Sequence, residues 1–177
     1  VALAFTDMRR QEGNKTVSFL PFITSMQESF APTWNQQSYF GRVDPVATYQ
    51  NTSRTINMTF KVTCFFREEL EIMFRKLNWL TSMVYPEYED DVYARGPVVK
   101  MQVGNVINAK NYGLSGYITS LNFSYDNAIW ELDTDAKLPR DIDVSLGFQV
   151  LHEVPVGLVK NDKGKLVFGG VQQTPSA

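Results

Sequence analysis

The sequence predicts a mainly antiparallel β domain with one long α-helix packed against it. Three observations point there. Two separate stretches alternate apolar and polar residues with a period of two, as half-buried strands do. One stretch repeats apolar residues at helical spacing. The chain has 177 residues, 44% of them apolar and 20% charged, which suits one domain with a core of its own and is too apolar for general disorder. The domain is expected to span 1–177, with a core at about 15–157 and a C-terminal hairpin and tail at 158–177.

The elements follow in chain order. Lys15–Ile23 is apolar but irregular, and Pro21 within it argues for an edge position. Over Thr55–Thr63, Ile56, Met58, Phe60 and Val62 alternate with Thr55, Asn57, Thr59 and Lys61, which reads as a strand with one wet face. From Arg67 to Tyr85, Leu70, Met73, Phe74, Leu77, Leu80 and Val84 form an apolar stripe at helical spacing. Glu68, Glu69 and Glu71 fall early and Arg75 and Lys76 later, as the helix dipole favours. Pro86 stops the helix. Ile72 and Trp79 lie off the stripe and suggest a second covered face.

Val98–Val103 and Ile129–Leu132 are shorter strand candidates. Tyr117–Tyr125 places Thr119, Leu121, Phe123 and Tyr125 on one face, and the turn formers of Asn108–Gly116 join it to the preceding strand. Asp141–Leu151 alternates again, with Ile142, Val144, Leu146, Phe148 and Val150 set against Asp141, Asp143, Ser145, Gly147 and Gln149. Leu158–Lys160 and Lys165–Phe168 flank Asn161-Asp162-Lys163-Gly164 and read as a hairpin.

Composition narrows function. The net charge is −2, with no basic surplus of the kind that holds nucleic acid by neutralising phosphates. A single cysteine, Cys64, precludes an intramolecular disulfide, and a single histidine, His152, removes His-rich metal sites. No stretch approaches the ~20 apolar residues of a membrane-spanning helix. Val1–Phe5 is apolar but lacks the basic lead and length of a signal peptide.

The residues that carry chemistry do not assemble into a recognisable pattern. Cys64 and His152 form a nominal nucleophile–base pair, but Cys64 ends an apolar strand, where an inert buried thiol is the usual outcome. Glu87, Glu89, Asp90 and Asp91, and Asp133, Asp135, Asp141 and Asp143, are dense acidic groups without the glycine and terminal glutamate of a calcium loop. A hydrolase using carboxylates such as Glu87 or Asp141 requires two acids that converge in space. Gly169-Gly170 has no helix after it to make a phosphate site. No catalytic residue, metal or cofactor is therefore assigned.

The segment 38–54 stands apart. It is polar and aromatic and lacks catalytic residue types. Arg42, Asp44 and Arg54 suit bidentate ion pairs with a neighbouring subunit. Tyr39, Phe40 and Tyr49 are of the aromatic type enriched at interface cores. The alternative is an ordinary long connection between strands.

Here a resemblance enters. Trp34 through Val62, centred on Tyr39-Phe40-Gly41-Arg42-Val43-Asp44-Pro45-Val46-Ala47-Thr48-Tyr49-Gln50-Asn51-Thr52-Ser53-Arg54, resembles structural proteins of contractile-tailed bacteriophages, and more narrowly the baseplate proteins at the tail-tube junction. Weaker similarities are the Tyr85-Pro86 step, the Gly113–Tyr125 strand pair and Leu151-His152-Glu153, so that matches span roughly 30–157. The resemblance implies a tail-tube-like fold, an antiparallel β-sandwich or half-barrel with a flanking helix. It further implies six copies joined into a ring barrel around a DNA-conducting channel. Such a ring is a non-enzymatic virion component that nucleates or extends the tail tube. Its expected partners are identical copies, the tail tube protein, the baseplate hub and the tape-measure protein, with DNA only in passage and no membrane insertion. Its expected location is the tail or baseplate of the virion, reached through the host cytoplasm during assembly. Tail tube and tail terminator subunits fit the same reading. Thr55, Asn57, Thr59, Lys61, Asp141, Asp143, Ser145 and Gln149 are the expected lumen-facing residues. A second reading is a carbohydrate-binding β-sandwich that stacks sugars on Trp34, Trp79 or Trp130.

Overall fold

A computed structural model describes residues 2–9, 15–89, 93–104, 106–107, 113–126, 128–132, 137–153, 156–160 and 166–169. Among the described residues the protein is mainly β, with one helix. The elements are β1 (Leu3–Asp7), β2 (Thr16–Phe19), β3 (Phe22–Gln37), β4 (Val46–Thr63), α1 (Arg67–Ser82), β5 (Glu87–Glu89), β6 (Tyr93–Arg95), β7 (Val99–Val103), β8 (Leu114–Ser124), β9 (Trp130–Glu131), β10 (Leu138–Pro139), β11 (Asp141–Val150), β12 (Gly157–Lys160) and β13 (Leu166–Gly169). Seven strands form one antiparallel sheet in the order β2-β1-β7-β8-β11-β4-β3, and β5–β6, β9–β10 and β12–β13 form small two-stranded pairs.

This sheet is rolled. Its two outer strands, β2 and β3, are separated in sequence only by Leu20 and Pro21. Laid flat, the outer strands would lie about 29 Å apart at the usual strand spacing. The link from Phe19 to Phe22 reaches about 11 Å at most. The margins must therefore curl toward each other, and the rings of Phe19 on β2 and Phe60 on β4 meet at 6.3 Å between centroids. Pro21, expected on an edge, sits in the joint itself, where its missing N–H breaks no ladder.

The concave side is the core. It joins Leu3 and Phe5, Val17 and Phe19, Ile56, Met58 and Phe60, Val99 and Met101, and the alternating residues of β11 from Ile142 to Val150. Helix α1 adds Leu70, Met73, Leu77 and Leu80. Of the expected stripe, Phe74 and Val84 are half-buried, and Met83 completes it.

The local chemistry sets the helix ends. Glu69 turns back to accept the N–H groups of Phe65 (3.2 Å) and Phe66 (3.3 Å), satisfying donors before the first turn. The helix stops at Ser82, short of the expected Tyr85, because Met83 and Val84 bond to the carbonyls three residues back and tighten the last turn. The last turn has no basic residue of its own. Arg9 supplies one from beyond β1, donating to the Ser82 (3.2 Å) and Tyr85 (2.7 Å) carbonyls while Asp7 grips its other side.

Several sequence expectations are corrected. The core does not begin at residue 15, because Leu3–Asp7 is an interior strand between β2 and β7. Residues 46–54 are not a connection but the first half of β4, and only 38–45 form a loop. Thr119 is not in phase with Leu121 and Phe123. The register between β8 and β11 shifts there, so that Ile118 faces inward opposite Phe148 and Thr119 is the extra residue of a bulge. Leu158–Lys160 pairs with Leu166–Phe168 as expected, while 161–165 and 170–177 lie outside the described residues.

Candidate functional site

Two surfaces gather the residues singled out from the sequence. The first is a polar wall on the convex side of the sheet. The β4–β11 register sets Thr55 opposite Gln149, Asn57 opposite Gly147, Thr59 opposite Ser145, Lys61 opposite Asp143 and Thr63 opposite Asp141. All eight expected wall residues thus share one face of two adjacent strands, the face away from Ile56, Met58 and Phe60. The wall continues onto β8 with Ser120, Asn122 and Ser124, and onto β3 with Ser25, Gln27 and Ser29.

Its charges are largely matched. Lys61 Nζ lies 3.5 Å from an Asp143 carboxylate oxygen. The Thr59 and Ser145 hydroxyls are 3.4 Å apart, and Gln149 Nε2 donates to the Arg54 carbonyl at 3.1 Å. A shallow depression centres on Gly147, where a Cβ would lie 2.6 Å from Ser120 Oγ and 2.7 Å from Thr119 Oγ1. The bulge residue Thr119 therefore leans over the one wall position without a side chain.

The second surface is an arm. The β4–β11 pairing ends at Thr55 and Gln149. Beyond it β3 and β4 pair only with each other, from Phe30–Arg54 out to Gln37–Val46. At strand rise this ribbon projects roughly 26 Å past the sheet. Its tip turns at Gly41, whose φ of 82° suits the left-handed position of a turn closed by Arg42 N–H on the Tyr39 carbonyl. Both edges and both faces of the ribbon are open.

Tyr39, Phe40, Arg42 and Asp44 lie at the tip and are exposed, and Phe40 and Val43 are fully so. Tyr49 is on the shaft, edge-on to Trp34 at 5.4 Å. Trp34 and Phe30, each about half exposed, complete an apolar set that composition alone did not single out. Arg54 departs from the expectation of an intersubunit pair. It is 2% exposed at the root of the arm, paired with Glu28 of its own chain and 5.3 Å from the Phe30 ring. His152 faces this cation, and burial together with the Arg54 charge holds its pKa below the ordinary histidine value.

The catalytic candidates are dispersed. Cys64 follows the end of β4 that pairs with the start of β11, whereas His152 follows the far end of β11, about 30 Å away at strand rise. The Cys64 thiol lies 3.3 Å from Met73 Sδ, and burial pushes its pKa up, away from thiolate chemistry. Among the described residues no three His, Cys, Asp or Glu side chains converge, and no helix is long and apolar enough to cross a membrane. Asp90, Asp91, Asp133 and Asp135 lie outside the described residues. Trp34, Trp79 and Trp130 occupy the arm, the helix and the β9–β10 pair, and make no common platform. No protein-family model matches the chain, and no curated protein matches it.

Proposed function

We propose that this chain is a non-catalytic ring subunit, of the kind found at the baseplate–tail tube junction of contractile-tailed bacteriophages, which nucleates or extends a tube around a DNA channel. The arm is the observation that carries this reading. A two-stranded ribbon is marginal in water on its own. This one exposes Phe30, Trp34, Tyr39, Phe40, Val43 and Tyr49, apolar area that a free monomer has no reason to hold out on a projection. Its unpaired edges fit main-chain pairing with neighbouring copies.

The wall supports the same reading. Copies joined edge to edge, six by analogy with the resemblance, would turn this convex face toward a lumen as a band of hydroxyls, amides and matched charges. Such a surface repels phosphates mildly and offers few cations to hold them. The tube protein, the hub and the tape-measure protein would be its neighbours in a virion.

The test is assembly of the full chain at micromolar concentration, followed by sedimentation and electron microscopy, alone and with a tail tube protein. Rings or stacked tubes are expected. Phe40→Ser with Val43→Ser, at two fully exposed tip positions, should weaken association about tenfold or more while leaving the melting temperature unchanged. A wild-type chain that stays monomeric in both conditions overturns the reading.

A further inference from the structure

Away from the arm and the wall, β2 and α1 frame a groove of about 370 Å3, within the range of about 300–1,000 Å3 typical of ligand clefts. Its cationic lining is Lys15, Arg75 and Lys76, with no carboxylate among the described lining residues. Its apolar lining is Val17, which is buried, Ile72, which is 53% exposed, and Trp79. Glu71 answers Arg75 from outside at 2.7 Å, but both are solvent-exposed and the pair holds Arg75 only weakly. In a chain whose net charge is −2, this is a local excess of the opposite sign. Lys15 Nζ sits 3.8 Å over the Trp79 ring, where the groove runs on into a second depression of about 340 Å3. There Arg9 is paired with Asp7 and Glu87 adds a carboxylate, so the cationic excess belongs to the first groove.

The backbone of β2 adds a second feature. Asp7 N–H donates to the Lys15 carbonyl at 3.1 Å, so residues 15, 17 and 19 direct their main-chain groups to β1. Thr16 and Ser18 therefore direct theirs to the outer edge. There the Lys76 ammonium already takes the Ser18 carbonyl at 2.9 Å. An incoming carboxylate would draw Lys76 off that carbonyl and release it to accept a main-chain N–H.

We infer that this seam docks an extended acidic segment of a partner protein, its carboxylates on Lys15, Arg75 and Lys76 and an apolar side chain between Ile72 and Trp79. Peptide main chain, not nucleic acid, is what the outward amide and carbonyl groups of β2 can match. The groove lies on β2 and α1, away from the arm of β3 and β4.

The experiment titrates the full chain by calorimetry with a synthetic nine-residue peptide alternating glutamate and valine, with its lysine–valine counterpart, and with a twelve-nucleotide single-stranded DNA. The acidic peptide is expected to bind, the basic one not, and 0.5 M salt should weaken binding by about tenfold, since three ion pairs at a surface are screened. Lys76→Gln should cost about tenfold and Lys15→Glu with Lys76→Glu more, with melting checked for each. Lys76→Gln alone decides if the double variant fails to fold. Absence of acidic-peptide binding at millimolar concentration, equal binding of both peptides, indifference to Lys76→Gln, or tighter binding of the DNA at this groove would each overturn the inference.

Discussion

The Arg54 guanidinium lies at the root of the arm between the Glu28 carboxylate and the Phe30 ring, with its own carbonyl held by Gln149. A buried cation of this kind tolerates the interior because its counter-charge is in place. Glu28→Ala removes that charge, and the expected cost is about 3 kcal/mol, read as a lower urea midpoint. Glu28→Gln keeps an acceptor and should cost less. Equal midpoints for wild type and Glu28→Ala would mean that the pair contributes no stability. Arg54 was visible in the sequence as a charge in an aromatic segment, but not which way it turns. Its partner is 26 residues away, and only the β3–β4 register, set by the length of the tip loop, brings the two together.

Among the elements, the strands with one buried face were legible and the others were not. Thr55–Thr63 and Asp141–Val150 alternate because one side packs on the core and the other is wet. The outer halves of β3 and β4 show no such alternation because both faces of the arm are exposed, so burial never selected a period. Leu3–Asp7 is too short to show one. The wall residues were found because they are the wet half of a legible alternation, whereas Phe30 and Val43 belong to the illegible arm.

The bulge at Thr119 is not legible in the sequence because register shifts arise between strands, not within one. Gly116, three residues before Thr119, shows how tightly β8 and β11 approach. A Cβ there would lie 2.2 Å from the Gln149 carbonyl and 2.6 Å from the Phe148 ring. Because backbone is among the atoms struck, Gly116→Ala should cost about 2 kcal/mol and lower the melting temperature by roughly 4–8 °C, measured by calorimetry. An unchanged melting temperature would show that the two strands separate freely.

Across the whole molecule, acid should loosen the fold in two steps from one place, the exit of β11. His152 has a lowered pKa through burial and the Arg54 charge. Glu153 has a lowered pKa through hydrogen bonding to Ser115 and to Lys100. Each group binds its proton less readily folded than unfolded, so protons favour the unfolded chain. The histidine contribution is complete above its ordinary value of about 6.5 and declines as pH falls through the lowered one. The glutamate contribution follows the same sign at lower pH. Both groups are exposed, so the effects are small. Melting temperature followed from pH 8 to 4 should fall in both windows, and His152→Asn should flatten the upper one alone. A wild-type profile that is flat between pH 7 and 5 would contradict the histidine step.

The Leu20–Pro21 joint governs how the chain can reach this state as well as its final shape. The β1–β2 and β3–β4 ribbons close locally, but β1 must find β7, and β4 must find β11, across about half of the polypeptide. Since a single covalent step ties the two ribbons, bringing β4 onto β11 also hauls β2, and β1 with it, toward β7. The two distant searches therefore share one loop-closure entropy, and the margins of the sheet mature together.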